Sequence, residues 1–419
     1  MKKIIYFALV FIAIITNACS NDNIEFDMAN EQEFNKSLEF IILEDEAKEF
    51  ATNFLNKKEI SSRSTSNAKV ETIWRSIELT QSYTRSTSEN TKIDIPIYVV
   101  TYTDEKNSPD GYVVTVGDKR VMNKTLAFSE KGNWDLSNIP AFENIFWAGV
   151  DKSLTQTLSE SEVDPCDTYE YEENYTIQKF VADMLLEWDQ SESPYNDSVP
   201  IYYTSTSIIN MAAGCVPVSM AQIMAYHEHP ASGYYIHEEY NRAVYPTYNW
   251  ARMKTNSDAT LLDNVGKSGV ANLIAEIGHR ANTYYATSSP TVSTNIKRTF
   301  TEMGYTSTNV VDFNLQTVIN DIIESRPVYI HGTGSLGTHA WIIEGYKKDI
   351  CDVIYGRDCP TGSGETNIPP TVIDQEVINY LYFNMGWGGE SNGFYLADTF
   401  ASWDFNTGIG IIHNIQPSN

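Results

Sequence analysis

After about residue 177 the apolar pattern of this chain changes its period once, from helical to strand-like, and that change restricts the fold. From about residue 177 to 282 apolar residues recur at helical spacing, and after about Arg326 they form strand-like runs. We expect three helices (Ile177–Trp188, one opening at Cys215, Gly269–Asn282), a loop (Asp189–Pro200) and four strands (Pro327–His331, His339–Tyr346, Tyr380–Asn384, Gly393–Leu396). Helices followed by strands indicate an α+β domain rather than an alternating α/β one.

A smaller α+β unit precedes this domain. Five apolar side chains share one helical face, with acidic residues near the start of the helix: Ala47, Phe50, Ala51, Phe54 and Leu55. The runs Ile95–Tyr102 and Gly111–Val116 predict a hairpin. Between Ser159 and about Glu173 the sequence is acidic and poor in apolar residues, as exposed linkers are. We therefore predict two domains, residues 19–165 and 166–419.

Composition excludes several classes of protein. With 42% apolar and 12% aromatic residues the chain can bury a core, so it is not disordered as a whole. Its 55 acidic against 29 basic residues give a net charge of -26, which disfavours binding to nucleic acid and anionic lipid. The five cysteines have no zinc-site spacing, and His227-Glu228-His229 lacks a third ligand nearby. We expect neither a metal nor an organic cofactor.

Residues 1–18 have the pattern of an export signal. Two lysines precede an apolar run from Ile4 to Ile15, which is shorter than the roughly 20 residues that span a bilayer, and Ala18 suits signal cleavage. The Ala18-Cys19 junction resembles the lipobox of bacterial lipoproteins, in which the cysteine is acylated, although the two residues before Ala18 depart from it. A plain secretory signal is the alternative. Both predict an extracytoplasmic protein, either secreted or anchored at the outer membrane or cell surface.

The segment around Cys215 carries the first chemical signal. Gly214 permits a sharp turn and Pro217 fits the first turn of a helix, so Cys215 falls at a helix N-terminus. The partial positive charge there favours a thiolate, which is the nucleophilic form of cysteine. A buried, inert cysteine is the alternative for this segment alone.

Two downstream segments supply partners for a nucleophilic cysteine. A glycine-containing loop from Gly332 to Thr338 delivers His339 to the start of an apolar strand, as a thiolate–imidazolium pair requires. Asn384 ends another strand, and its amide oxygen is suited to accept the second ring proton of the histidine. Trp387 follows between glycines and is placed to shield that bond from water. A hairpin turn and a core tryptophan are the plainer interpretations of the last segment.

These segments resemble the streptopain family of cysteine peptidases, in the papain-like clan. The resemblance rests on Gly214-Cys215, Ala221–His227, His339–Tyr346, Asn384–Gly389 and Trp188–Asn196, which occur in family order. It implies a papain-like domain with a helical part followed by an antiparallel β part, and it assigns the oxyanion-hole donor to Gln190. Upstream, the helix, the hairpin and Lys124–Gly132 look like the inhibitory propeptide of the family. Residues 19–165 would then be the chain's own intramolecular inhibitor.

The sequence departs from the family pattern at three places. Met385 stands where the family has a first tryptophan, and Thr338 replaces a glycine before the histidine. Residues Lys347 to Val377 form an insertion that contains Cys351 and Cys359. These two cysteines are candidates for a local disulfide in an exported protein, and Cys166 has no obvious partner.

The resulting hypothesis is an exported bacterial cysteine endopeptidase made as a zymogen. Cys215 is the nucleophile, His339 the acid and base, Gln190 the oxyanion donor and Asn384 the residue that orients the histidine. By resemblance, its substrates are extended polypeptides with a hydrophobic residue two positions before the cut. The alternatives are a Cys-His amidase acting on peptidoglycan and a non-catalytic surface binding protein on a peptidase fold.

Overall fold

The computed structural model describes residues 40–58, 67–83, 87–160, 166–203, 208–237, 240–359, 366–401 and 408–418. The predicted signal segment, Cys19 and the polar segment 61–66 lie outside these ranges. Residues Ile41–Asn419 form one compact unit, and Met1–Phe40 is a separate one of which only Phe40 is described. No helix among the described residues is long and apolar enough to cross a membrane.

Eight α-helices lie within the described ranges: α1 (Glu44–Lys58), α2 (Pro140–Glu160), α3 (Cys215–His227), α4 (Trp250–Met253), α5 (Asn264–Arg280), α6 (Thr294–Glu302), α7 (Leu315–Ile323) and α8 (Asp398–Ala401). Three of the expected helices are present as α1, α3 and α5. In α1, Ala47, Ala51 and Leu55 are buried as the periodicity predicts, whereas Phe50 is 37% exposed.

The strands of the N-terminal part are β1 (Ala68–Tyr83), β2 (Thr87–Thr103), β3 (Pro109–Val116), β4 (Thr125–Ser129) and β5 (Asp167–Phe180). Six short strands follow: β6 (Ile201–Tyr203), β7 (Ile208–Asn210), β8 (Tyr235–His237), β9 (Arg242–Val244), β10 (Tyr305–Thr306) and β11 (Val311–Asp312). The C-terminal strands are β12 (Val328–Gly334), β13 (Gly337–Arg357), β14 (Ile368–Asn384), β15 (Gly393–Leu396), β16 (Ile409–Ile412) and β17 (Gln416–Pro417).

One large antiparallel sheet runs through both halves of the chain. Its order is β1-β2-β3-β4-β15-β14-β13-β12-β16-β11, and β5 adds to β13. The predicted hairpin is the β2–β3 pair, and the upstream unit joins the downstream one where Phe128 and Ala127 of β4 pair with Phe394 and Tyr395 of β15. Antiparallel strands with helices on the sheet faces confirm the predicted α+β class.

Alternation along β13 assigns the helices to opposite faces of the sheet. Ala340 and Ile342 belong to the apolar core that includes α3 and α5. Trp341 and Ile343 belong to the other core, which includes Phe142 and other residues of α2. Successive side chains of a strand point to opposite faces, so α3 and α2 cover different sides of the same strand.

The segment predicted to be an acidic linker and then a helix forms a strand instead. Residues 167–180 are β5, which pairs with β13 from Asp167↔Arg357 to Phe180↔Gly345, and residues 181–188 are not helical. The predictions of an exposed linker through Glu173 and of a helix over Ile177–Trp188 are therefore wrong. The period-2 alternation of Tyr169 and Tyr171 with polar residues is a strand signal that the high acid content obscured.

The insertion at 347–377 lengthens β13 and β14 into the hairpin on which β5 lies. The predicted Cys351–Cys359 disulfide is wrong, because Cys359 is bonded to Cys166, with their Cα atoms 4.8 Å apart. Cys351 is buried within β13, and Cys166 precedes the strand that pairs with the far end of the hairpin. Strand pairing therefore brings Cys166 to Cys359, a contact that sequence spacing could not reveal.

Candidate active site

Cys215 is the first residue of α3, as predicted. Gly214 caps the helix with a φ of 95°, and a Cβ at this position would lie 2.7 Å from the Ser289 carbonyl oxygen, so both conformation and space require glycine. Burial raises the pKa of the Cys215 thiol, although the backbone amides of Ala340, Val216 and Cys215 lower it. The net direction is upward. The helix N-terminus alone therefore does not favour a thiolate in this conformation.

Gln190 lies beside the start of α3. Its backbone oxygen accepts a hydrogen bond from the Ala213 amide at 2.6 Å, two residues before Cys215. Its side chain is buried, and Nε2 donates to the Gly386 carbonyl at 3.5 Å. The loop that carries Gln190 is thus tied both to the nucleophile segment and to the turn after β14.

Asn384 is the last residue of β14 and is fully buried. Its Nδ2 donates to the Leu186 carbonyl, to Gln222 Oε1 at 2.9 Å and to Glu344 Oε1 at 3.0 Å. Its Oδ1 accepts from the Gly386 amide at 3.2 Å and from Gln222 Nε2 at 3.4 Å. Gln222 lies on α3, so Asn384 is on the face of the sheet that carries Cys215.

His339 points to the other face of the sheet. Its ring stacks on Trp341 with a centroid distance of 5.9 Å and an interplanar angle of 11°, and Nε2 donates to the Met385 carbonyl at 3.1 Å. Among the described residues, no hydrogen bond joins His339 to Cys215 or Asn384. Burial lowers the pKa of His339 to about 4, despite the opposing effect of the Met385 carbonyl. The ring is therefore neutral near pH 7 in this conformation.

Helix α2 of the upstream domain covers this histidine face. Phe142 meets the Trp341 ring edge-on at a centroid distance of 5.2 Å, and a Cβ at Gly332 would overlap the Ile145 side chain. Asn144 Oδ1 accepts a hydrogen bond from the Ser335 amide at 2.9 Å, within the glycine-containing loop that precedes His339. The upstream domain thus contacts the loop and strand that carry the histidine.

Met385 and Trp387, which follow Asn384 in the turn after β14, differ in environment. Met385 is completely buried in the core that includes α2, and its carbonyl holds His339. Trp387 is partly buried, and its indole nitrogen has no hydrogen-bond partner among the described residues. Trp387 packs against the same core, and among the described residues no ring contact joins it to His339.

Two polar residues at this site had no predicted role. Gln222 and Glu344 are buried within a mostly apolar helix and strand, and both contact Asn384. Buried polar side chains require hydrogen-bond partners, and that requirement is the signal by which the sequence could have revealed them.

Comparison with known proteins bears on both halves of the chain. A model of the Peptidase C10 family matches residues 188–395, and a model described as Spi protease inhibitor matches residues 39–153. Streptopain of Streptococcus pyogenes is 27% identical over 341 residues, which cover 72% of this chain and 75% of streptopain. Thiol protease/hemagglutinin PrtT of Porphyromonas gingivalis is 23% identical over 336 residues, which cover 73% of this chain and 34% of PrtT.

A solved fragment of prointerpain A from Prevotella intermedia shares the fold. It superposes with a TM-score of 0.50 at 17% identity and covers 83% of this chain and 100% of the fragment. This likeness and the Spi inhibitor match confirm the predicted papain-like fold with an upstream prodomain. The family match and the two relatives confirm the predicted cysteine-type peptidase. The chain belongs to the peptidase C10 or streptopain family of cysteine peptidases and carries a Spi-like inhibitor propeptide domain ahead of its peptidase part.

Proposed function

We propose that this chain is the zymogen of an exported cysteine endopeptidase in which Cys215, His339, Gln190 and Asn384 perform catalysis. The observation that carries the proposal is the convergence of side chains on one turn. His339 bonds the Met385 carbonyl, Gln190 bonds the Gly386 carbonyl, and Asn384 begins the turn. The Gln190 backbone connects this turn to the residue two before Cys215.

In the proposed reaction the Cys215 thiolate attacks a peptide carbonyl carbon. The resulting oxyanion accepts hydrogen bonds from Gln190 Nε2 and the Cys215 amide. His339 takes the thiol proton beforehand and gives it to the leaving amine as the peptide C–N bond breaks. A water that His339 deprotonates then attacks the acyl-enzyme, the thioester C–S bond breaks, and the acid product leaves while the proton returns from His339 to the Cys215 sulfur. Asn384 Oδ1 accepts the second ring N–H and fixes the tautomer. The hydrophobic residue two positions before the cut remains part of the proposal by resemblance.

The described conformation corresponds to the resting precursor. A neutral His339 on the α2 face and a Cys215 whose pKa is raised are unsuited to nucleophilic attack. Release of the upstream domain would free the loop from Gly332 to Thr338 and allow His339 to reach the Cys215 face. We expect the activating cut N-terminal to Cys166, because β5 pairs with β13 of the peptidase part and Cys166 is bonded to Cys359.

Export is proposed from the pattern of residues 1–18. The Cys166–Cys359 disulfide supports it, because disulfides persist mainly in oxidising compartments outside the cytoplasm. Acylation of Cys19 would anchor the protein at the outer membrane or cell surface, and secretion is the outcome if Cys19 is not modified. Mass spectrometry of the N-terminal peptide from the exporting host distinguishes the two.

The test compares wild-type precursor with Cys215→Ala, under mild reduction, on casein and on peptidoglycan. We expect the wild type to cleave casein and to shorten itself to the C-terminal part, and Cys215→Ala to do neither. Cys351→Ala is the matched control, because it removes a buried cysteine of β13 that is not part of a disulfide, and it should keep both activities. Equal behaviour of wild type and Cys215→Ala on casein contradicts the nucleophile assignment, and cleavage of peptidoglycan alone would favour an amidase.

A further inference from the structure

The side-chain amide of Asn384 is held in one orientation by two backbone groups, one of which can only accept a hydrogen bond and one of which can only donate. The Leu186 carbonyl can only accept and the Gly386 amide can only donate, so the former meets Nδ2 and the latter Oδ1. Turning the amide by 180° would place Oδ1 against the Leu186 carbonyl and Nδ2 against the Gly386 N–H. Glu344 Oε1 and Gln222 Oε1 are further acceptors on the Nδ2 side, so the two N–H groups of the amide are shared among three acceptors.

Glu344 reaches Asn384 because the strand is irregular at this point. The β13–β14 register passes from Ile343↔Phe383 to Gly345↔Tyr382, which leaves Glu344 as the extra residue of a β-bulge. Bulges redirect side chains and are frequent next to active sites. The Glu344 backbone carbonyl accepts from the Val181 amide at 3.0 Å, which fixes the bulge from the opposite edge. A carboxyl group that is only 5% exposed is thus directed at the Asn384 amide.

Gln222 adds a reciprocal amide pair with Asn384. Its Oε1 accepts from Asn384 Nδ2 and its Nε2 donates to Asn384 Oδ1. Gln222 uses both its donor and its acceptor, so it fixes the plane of the Asn384 amide. It would pair equally well with an Asn384 amide turned by 180°, so it does not by itself select the orientation. Gln222 lies on the helix that begins with Cys215, so the pair also fixes Asn384 relative to the nucleophile helix.

This arrangement exists while His339 is on the other face of the sheet and bonds Met385 instead. Asn384 is therefore not oriented by the histidine. Its two Oδ1 contacts, 3.2 and 3.4 Å, are longer than the Nδ2 contacts to Gln222 and Glu344, at 2.9 and 3.0 Å, so the oxygen is the less firmly engaged end.

We propose that Glu344 is a positioning residue of the peptidase, which acts with Gln222 to keep the Asn384 oxygen directed to the place that the His339 ring takes in the active enzyme. The proposal rests on the function proposed above. Burial raises the pKa of Glu344 to about 8, and the hydrogen bond from Asn384 opposes that shift. Glu344 Oε1 can accept the hydrogen bond from Asn384 when the carboxyl group is ionised, and also when it is protonated on Oε2.

The test uses full-length precursors of Glu344→Leu, Glu344→Gln and Gln222→Met, matured by immobilised wild-type enzyme. Initial rates on labelled casein give kcat and KM separately. Misplacement of a catalytic group by about 1 Å can cost on the order of 100-fold in rate, so we expect kcat of Glu344→Leu to fall about 100-fold with KM unchanged. Glu344→Gln keeps an acceptor oxygen and should lose less than about tenfold, and Gln222→Met should lie between the two.

Glu276→Gln is the matched control. Glu276 is also a buried carboxyl group, with 1% exposure, but it forms hydrogen bonds with Tyr248 and Arg280 and, among the described residues, none with those of the candidate site. Its variant should keep the wild-type kcat per folded molecule, with folding measured by circular dichroism. If Glu344→Leu does not fold, Glu344→Gln and Gln222→Met decide the question.

A kcat within twofold of wild type in all folded variants overturns the proposal. The proposal is also overturned if the activity of the Glu344 variants, like that of the Glu276 variant, decreases only in proportion to the fraction of folded protein. Failure of the proposed function would give a different result from failure of this proposal, because the wild-type enzyme itself would then show no cleavage that depends on Cys215.

Discussion

At the scale of single residues, the sequence could reveal where Cys215 and His339 lie in the fold, but not the direction of the His339 side chain. The positions of Cys215 and His339 in the fold were predictable, because glycine and proline around them indicate a helix start and a loop–strand junction. The face to which His339 points was not predictable. It depends on contacts with Trp341 and Met385, and Trp341 in turn packs against α2 from a distant part of the chain.

Gln190 supports a prediction at this scale. Replacing it by alanine removes the proposed side-chain donor to the oxyanion, and the loss of one such donor costs about 100- to 1000-fold in kcat. We expect Gln190→Ala to show that loss with little change in KM, measured on labelled casein after maturation by immobilised wild-type enzyme. Gln178→Ala, which truncates an exposed glutamine on β5, serves as control and should be unaffected. A Gln190→Ala enzyme with normal kcat would remove Gln190 from the mechanism.

At the scale of elements, local pattern predicted α1, α3, α5 and the core strands but not β5. The acidic stretch around residues 167–173 is a poor strand by composition, and it becomes one because the lengthened β13 offers a partner edge. The Cys166–Cys359 bond follows from the same pairing. Contacts between segments 193 residues apart leave no trace in local periodicity.

Helix α2 gives a prediction about the precursor. Asn144→Ala removes the hydrogen bond to the Ser335 amide, and such a bond contributes about 1 kcal/mol, or roughly a fivefold change in an equilibrium. We expect the precursor to be processed several-fold faster, as measured by the loss of full-length chain on gels after addition of a trace of mature enzyme. Lys152→Ala changes an exposed residue on the same helix and should leave the rate unchanged. An unchanged rate for Asn144→Ala would mean that this contact does not restrain activation.

At the scale of the whole molecule, the prodomain and the peptidase share one sheet. The sequence predicted two α+β units but not their union, because the β4–β15 pairing involves two residue pairs, Phe128 with Phe394 and Ala127 with Tyr395. Aromatic packing of Phe128 on Phe394 and Tyr380 strengthens that junction. Release of the prodomain must therefore break a strand pair and expose aromatic surface as well as free the histidine loop.

The stability of the precursor should depend on pH through two buried histidines, His331 and His339, and one partly buried histidine, His227. Burial lowers the pKa of His227, His331 and His339 to about 4 from 6.5, so the unfolded chain binds more protons between these values. Their contribution to stability is complete above pH 6.5 and is lost as the pH falls towards 4. Glu344 acts in the opposite direction, because its pKa is raised from 4.5 to about 8 and folding is favoured by its protonation.

Burial also raises the pKa of Glu192 and of Asp398 above 4.5 and 3.8, so their protonation favours folding as that of Glu344 does. The histidines, with pKa lowered from 6.5 to about 4, make the larger change between pH 6.5 and 4.5 and leave a net loss of stability in acid, at about 1.4 kcal/mol per pH unit for each net proton taken up on unfolding. We expect the Tm of the Cys215→Ala precursor, which cannot process itself, to fall steadily from pH 6.5 to 4.5 in differential scanning calorimetry. His331→Gln in the same background removes one titrating ring and should make the decline shallower. A Tm that stays level or rises over this range would show that the histidines are not buried as neutral rings in the precursor.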